Sequence, residues 1–189
     1  MIYHHWDCIR ICEEYYLLRA SFTACIAFDM AAINDAVFIP PFHGTINELI
    51  SDLEIFANDE INPLPDLIKI AIIHYQFETI HPFLDGNGRI GRLLITLYMI
   101  DKKLLRYPTL YLSDFFEKKR KEYYDNLTAV REKNDLFHWV EFFLDGVIET
   151  AKNSIATFQN IIKLREDIEL NQLIKLGKRQ GEGKKLINE

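Results

Sequence analysis

The 189-residue sequence predicts a mainly α-helical bundle with one short β-hairpin. Residues 65–80 begin with a proline and are apolar on nearly every side, which is typical of a buried central helix. Residues 93–100 form a second apolar run without a helix breaker. Val37, Phe38 and Ile39 favour an extended strand, and the two prolines that follow prevent it from continuing as a helix or a central strand.

Composition narrows the class of protein. The hydrophobic fraction of 49% and the charged fraction of 26% are those of an ordinary globular chain. The formal charge of −6 argues against nucleic acid as the main partner. No apolar run reaches the length of a membrane span, and the N-terminus lacks the pattern of a signal peptide, so we expect a cytoplasmic protein. Cys8, Cys12 and Cys25 are odd in number and crowded, which does not suggest a disulfide framework.

The chain divides into three predicted regions. Residues 1–32 are a poorly defined N-terminal helical segment, residues 33–150 carry the main domain, and residues 151–189 form a C-terminal helix with a basic, Gly-rich tail. Thr45 and Glu48 have the spacing of a capping box at the start of a helix. A further helix is expected to follow Ser113, and two more are expected over residues 137–147 and from residue 150 onward.

The stretch from His81 to Arg92 has the composition of a phosphate-binding site. A proline follows His81, so we expect the preceding helix to end there. The run Gly86-Asn87-Gly88 tolerates the backbone of a tight turn whose amides converge on an anion. An apolar helix follows, and two arginines lie in its first turns at helical spacing.

The functional groups around this turn each have a chemical role to offer. Arg89 and Arg92 suit the β- and γ-phosphates of a nucleotide, because a guanidinium binds phosphate in a bidentate way. Asp85 is a candidate ligand of Mg2+, and His81 is a candidate proton acceptor. Phe83 is expected to be a buried anchor of the loop. His74 is expected to be a hydrogen-bonded core residue, with an accessory role in the site left open.

The sequence His81-Pro82-Phe83-Leu84-Asp85-Gly86-Asn87-Gly88-Arg89-Ile90-Gly91-Arg92 resembles the Fic family signature, His-Pro-Phe-x-Asp-Gly-Asn-Gly-Arg-x-x-Arg, at every specified position. The resemblance covers roughly residues 33–147. It implies a Fic-domain helical bundle and a protein adenylyltransferase. Such an enzyme transfers AMP from ATP to a Ser, Thr or Tyr hydroxyl of a target protein, and pyrophosphate leaves.

The resemblance also implies roles for individual residues. His81 would be the general base and Asp85 would hold Mg2+. Val37, Phe38 and Ile39 look like the flap that holds the target by strand addition, whereas a hairpin arm packed on the core is the plainer alternative. Tyr123 and Tyr124 resemble the wall on which the nucleotide base rests. The predicted ATP-binding residues are Phe83, Gly86, Asn87, Gly88, Arg89, Arg92, Tyr123 and Tyr124.

Other interpretations stay open at this point. Many Fic proteins carry an inhibitory helix of the form Ser/Thr-x-x-x-Glu-Gly/Asn, but here Glu117 and Glu132 of the two candidate segments are each followed by lysine. We therefore expect an enzyme that is constitutively competent or restrained by a partner antitoxin. A homodimer is also compatible with the sequence. Alternatives are a Fic-type transferase of phosphate or phosphocholine and an inactive helical interaction module.

Overall fold

The computed structural model describes residues 38–61, 63–173, 175 and 177. Within these residues the protein is mainly α-helical, as predicted. A 3₁₀ turn at His43–Thr45 precedes the first helix, and a π-helical turn at Ile168–Gln172 follows the last. The helices are α1 (Ile46–Asn58), α2 (Asp66–Ile80), α3 (Asn87–Asp101), α4 (Ser113–Lys118), α5 (Arg120–Lys133) and α6 (Leu136–Asp167).

The predicted β-hairpin is not confirmed. The described part of the chain contains no strand, and Phe38 and Ile39 have no regular secondary structure there. Val37, the first of the three residues predicted for the strand, lies outside the described residues.

Helix α2 is the buried central helix that the sequence predicts. Ile70, Ala71 and Ile73 are fully buried, because apolar residues cover nearly the whole circumference of the helix. The indole Nε1 of Trp139 donates a hydrogen bond to the carbonyl oxygen of Ala71 at 2.8 Å, which ties the start of α6 to the middle of α2. The chain divides into two compact units between Gly146 and Val147, so α2 belongs to the first unit.

Several predicted helix boundaries need correction. Pro65 precedes the first residue of α2 instead of occupying it. Thr45 precedes α1, but its hydroxyl donates to the carbonyl oxygen of Phe42 at 2.8 Å, so the predicted capping box with Glu48 does not form. The segment after residue 112 contains two helices instead of one, α4 and α5, because Lys119 leaves the helical region with φ −107° and ψ 35°. The two helices expected after residue 136 are one continuous helix, α6.

A close approach between α2 and α3 occurs at Gly91. A Cβ atom there would lie 3.2 Å from both His74 Cε1 and Phe77 Cδ1 and would overlap Glu78 Oε1. The side chains of α2 therefore pack directly against the backbone of α3, and the site described below lies at the ends of these two helices. In the described part of the chain, no helix is both long enough and apolar enough to cross a membrane.

The substitution Gly91→Ala tests this helix contact. A glycine-to-alanine change inside a helix ordinarily stabilises by up to about 1 kcal/mol, whereas overpacking costs about 1–3 kcal/mol. Since His74 and Phe77 would have to move, we expect a net loss of about 1 kcal/mol or more in the free energy of unfolding, measured by urea denaturation. Leu93→Ala, at an exposed position of the same helix, is the control. A variant more stable than the wild type would contradict the close packing.

Candidate functional site

The loop that follows α2 begins at His81, which adopts a left-handed backbone conformation with φ 51° and ψ 56°. Its amide donates to the carbonyl oxygen of Phe77 at 2.9 Å and thereby closes the helix. The next residue is proline, so the helix ends where the sequence predicts. A non-glycine residue in this conformation is uncommon, and such residues concentrate at functional sites.

The tautomer of His81 follows from its backbone contact. Its Nδ1 lies 3.3 Å from the carbonyl oxygen of Glu78, and a carbonyl only accepts hydrogen bonds, so Nδ1 carries the hydrogen. In the neutral ring the lone pair is then on Nε2. This half-buried imidazole is able to accept a proton through Nε2.

Asn87 closes the loop through its side chain. The amide of Phe83 donates to Asn87 Oδ1 at 2.8 Å, and Asn87 Nδ2 donates back to the carbonyl oxygen of Phe83 at 2.7 Å. Asn87 is 2% exposed, and the Phe83 ring packs at 6.2 Å from the Phe77 ring. Phe83 thus lies where a loop anchor should. The structural role of the Asn87 side chain was missed, because the sequence pointed only to its backbone amide.

The N-terminus of α3 is arranged to bind an anion. Gly86 precedes the helix with φ 84°, and its carbonyl oxygen accepts from the amides of Arg89 and Ile90, both at 3.0 Å. The amides of Asn87 and Gly88 come before these bonds, and no side chain caps the start of the helix. Amides at these positions have no partner within a helix, and they attract phosphate together with the helix dipole.

Both arginines fold back over this first turn. A Cβ at Gly86 would lie 3.3 Å from Arg89 Nη2, and a Cβ at Gly88 would lie 3.1 Å from Arg92 Nη1. The two glycines therefore leave room for the guanidinium groups beside the helix amides. Arg89 Nη2 also pairs with Asp85 Oδ2 at 3.1 Å, in a pair whose side chains are 75% and 92% exposed.

Asp85 fits the predicted ligand of Mg2+. In the described part of the chain, no group of three or more His, Cys, Asp and Glu residues could hold a metal ion. Mg2+ is, however, often bound by only one or two carboxylates together with substrate phosphates and water. The exposed Asp85 carboxylate lies just before the N-terminus of α3 and is a group of this kind.

His74 lies behind the loop and is fully buried. Its Nδ1 donates to the carbonyl oxygen of Gly91 at 3.0 Å, so its Nε2 accepts from the hydroxyl of Tyr123 at 3.1 Å. Burial lowers the pKa of His74 to about 4, and the ring is neutral at pH 7. The prediction of a hydrogen-bonded core histidine therefore agrees with its surroundings.

The two tyrosines predicted to support a nucleotide base have different exposures. Tyr123 is 4% exposed and packs among aromatic rings of the core, whereas Tyr124 is 53% exposed. Their rings meet edge to face at 5.1 Å. Of the pair, Tyr124 has the surface that a ligand can reach.

Glu78 is a buried acid that the sequence reasoning missed. It is 8% exposed, and its Oε1 has no hydrogen-bond partner among the described residues. Burial raises the pKa of Glu78 to about 7, although the charges of Arg92 and Arg131 oppose this shift. The available signal was an acid near the end of a helix that is apolar on nearly every side.

Arg131 lies near Glu78 and also contacts the predicted flap. Its Cζ is 3.7 Å from the centre of the Phe38 ring, which is a cation–π contact. The neighbouring Ile39 is 60% exposed. One of the two described flap residues is therefore fastened to α5, and the other faces solvent.

These features together define a helical domain with an anion-binding loop, flanked by a proton acceptor and a carboxylate. Residues 17–99 match the Fic/DOC family. The chain is 34% identical over 126 residues to protein adenylyltransferase fic-1 of Caenorhabditis briggsae. The aligned region covers 66% of this chain and 22% of that protein. It is 34% identical over 108 residues to protein adenylyltransferase Fic of Culex quinquefasciatus, and this aligned region covers 57% of this chain and 20% of that protein.

A solved structure agrees with this match. The structure of a Fic family protein from Desulfovibrio desulfuricans G20 has a TM-score of 0.57 and 30% identity, and the match covers 62% of this chain and 35% of that chain. The chain therefore contains a Fic/DOC family domain, as its signature sequence predicts. It spans about a fifth of the length of the two adenylyltransferases and about a third of the solved chain.

The substitution Asn87→Asp tests the clamp on the loop. An aspartate keeps the acceptor for the Phe83 amide but places a second oxygen against the Phe83 carbonyl, so a buried donor is lost. We expect a loss of about 2 kcal/mol or more in the free energy of unfolding. Asn126→Asp is the control, because the Asn126 amide donates to the Glu122 carbonyl at a solvent-accessible position. Equal losses in the two variants would contradict a special role for Asn87.

The pH dependence of stability tests the burial of Glu78. The pKa of Glu78 rises from an ordinary 4.5 to about 7 in the folded state. Folding is therefore favoured below pH 4.5, and this contribution is lost as the pH rises through 7. The pKa of His74 shifts from 6.5 to about 4, so its contribution is present above pH 6.5 and is lost as the pH falls. Between pH 4.5 and 6.5, Glu78 lowers the free energy of unfolding as the pH rises, whereas His74 raises it.

The substitution Glu78→Gln removes the contribution of Glu78 to the pH dependence of the free energy of unfolding. The difference in the free energy of unfolding between this variant and the wild type should increase by about 3 kcal/mol from acidic pH to pH 8, in favour of the variant. Urea denaturation across this pH range measures the difference. Glu48→Gln, an exposed position in α1, should show no comparable trend. A difference that does not depend on pH would show that Glu78 is not buried in this way.

Proposed function

We propose that this chain is a protein adenylyltransferase that transfers AMP from ATP to a Ser, Thr or Tyr hydroxyl of a target protein. The observation that carries the proposal is the uncapped N-terminus of α3, where two amides and two guanidinium groups surround a position suited to phosphate. The imidazole of His81 lies at the end of the preceding helix with its lone pair on Nε2. The similarity of the chain to the two adenylyltransferases supports the same reaction.

The proposed reaction needs a base and a site for negative charge. The hydroxyl oxygen of the target forms a bond to the α-phosphorus, the bond from that phosphorus to the bridging oxygen breaks, and pyrophosphate leaves. His81 Nε2 accepts the hydroxyl proton and later releases it to solvent, which contributes about 10²–10⁴-fold to the rate. The amides of Asn87 and Gly88 and the guanidinium groups of Arg89 and Arg92 stabilise the charge of the leaving group.

Asp85 completes the proposed site. Its carboxylate would hold Mg2+, which supplies positive charge to the phosphate oxygens when bound. Asp85 Oδ2 pairs with Arg89 Nη2 at 3.1 Å, so a carboxylate and a guanidinium group lie side by side at the proposed phosphate site.

The proposal also covers the target and the nucleotide base. The segment at Phe38 and Ile39 would receive the target, and Tyr124 would offer its exposed ring to the base. An alternative in which the same loop transfers a phosphate or phosphocholine group changes the leaving group but not the use of His81.

Labelled ATP tests the reaction. The wild-type protein and His81→Ala are each incubated with ATP labelled on the α-phosphate, with magnesium and a cell lysate, and protein is examined by autoradiography. We expect label with the wild type and a loss of at least about 100-fold with the variant, because the variant lacks the base. Asn126→Asp, away from the loop, is the control for handling and folding.

A second label separates the alternatives. Protein marked by ATP labelled on the γ-phosphate but not on the α-phosphate would replace AMP transfer with phosphate transfer. If neither form of labelled ATP marks protein while nucleotide binding is intact, the chain does not act on its own as a transferase on the proteins of that lysate.

A further inference from the structure

The proposed reaction does not use the side chain of Glu78, although this residue lies only three positions before His81. Its carboxylate is buried, and Oε1 has no hydrogen-bond partner among the described residues. An unpaired buried acceptor costs about 1–3 kcal/mol, so its presence calls for an explanation.

The geometry places this carboxylate against the backbone of α3, at the residue before Arg92. Glu78 Oε1 lies against Gly91, where any Cβ would overlap it, and Gly91 is the residue before Arg92 in α3. Arg92 Nη1 lies close to Gly88 in the first turn of the same helix. The guanidinium group of Arg92 is therefore next to the candidate phosphate site, and its charge opposes the rise that burial causes in the pKa of Glu78.

A second cation faces Glu78 from another helix. Arg131 of α5 is held by the Phe38 ring at 3.7 Å, and its Nε is buried without a hydrogen-bond partner in the described part of the chain. This contact keeps Arg131 in place whether or not Arg92 engages a ligand. Glu78 thus has one cation that is anchored and one that lies beside the phosphate site.

The other groups around Glu78 keep their charge near neutral pH. His74 on α2 is neutral because burial lowers its pKa to about 4, and Tyr123 on α5 is neutral because burial raises its pKa. Burial lowers the pKa of Arg131 from its ordinary 12.5, but a guanidinium group keeps its charge in proteins. Among these groups, Glu78 is the one whose pKa, at about 7, lies near neutrality.

We propose that Glu78, whose buried carboxylate lies against the residue before Arg92, takes up a proton when phosphate engages the Arg92 guanidinium. The inference rests on the phosphate-binding role of Arg92 in the proposed function. Its physical reason is charge balance, because a phosphate at Arg92 cancels part of the positive charge that keeps the buried carboxylate ionised. The proton comes from solvent, and no covalent bond changes.

Calorimetric titration with magnesium and ATP tests this inference, using buffers with different ionisation enthalpies to count protons. At pH 7 the wild type should take up as much as about half a proton per nucleotide, and nearly one at pH 8. Its affinity should fall by up to about tenfold per pH unit above pH 7. Glu78→Gln should bind without this uptake, with an affinity that depends much less on pH.

Two further variants isolate the source of the proton. His81 is the proton acceptor of the proposed reaction, so His81→Ala should retain the uptake that is assigned to Glu78. Arg131→Met removes the anchored cation, which should raise the pKa of Glu78. The affinity for ATP should then begin to fall at a higher pH than in the wild type. This variant provides a test even if Glu78→Gln does not fold. Arg106→Met removes an arginine from an exposed position and should leave the pH dependence unchanged.

The outcomes separate this inference from the proposed function. Equal proton uptake by the wild type and Glu78→Gln, or loss of the uptake in His81→Ala, would overturn the role of Glu78 and leave nucleotide binding intact. Failure of the folded wild type to bind ATP with magnesium would instead overturn the phosphate site itself, and the proposed function with it.

Discussion

The close contact between α2 and α3 at Gly91 is the constraint on which the candidate site depends. His81 ends one of these helices, and the anion-binding amides begin the other. Because Gly91 has no Cβ, the rings of His74 and Phe77 reach the backbone of α3, and His74 hydrogen-bonds across the same contact. The distance between the proton acceptor and the phosphate-binding turn is therefore determined by the packing of two helices, which is stiffer than a loop.

The connecting loop adds little freedom to this arrangement. Two of its residues, His81 and Gly86, have left-handed backbone conformations, and only the glycine adopts one without strain. The paired hydrogen bonds between Asn87 and the Phe83 backbone hold the chain between them. A strained histidine is tolerated because the rest of the loop leaves it no alternative, which is the usual condition for strain at a functional site.

The sequence was sufficient to predict the parts of the molecule that depend on periodicity and turn composition. The central helix α2, its end before His81 and the glycine turn leading into α3 are all local properties of the chain. The capping pattern at Thr45 was misleading because the hydroxyl found a nearer partner in the Phe42 carbonyl. Glu78 could not have been assigned from the sequence, because its importance comes from groups on α3 and α5 that meet only in the folded chain.

If this acidic chain binds ATP as proposed, it must do so through short-range contacts. With a formal charge of −6, the protein as a whole would repel ATP, but salt screens charges beyond about 8 Å at an ionic strength of 0.15 M. The groups that decide affinity are then those beside the phosphates, namely the helix amides, Arg89 and Arg92. An acid this close would normally weaken such a site. Glu78 avoids that cost in our proposal by becoming neutral as the phosphate arrives, so the buried acid does not oppose the bound phosphate.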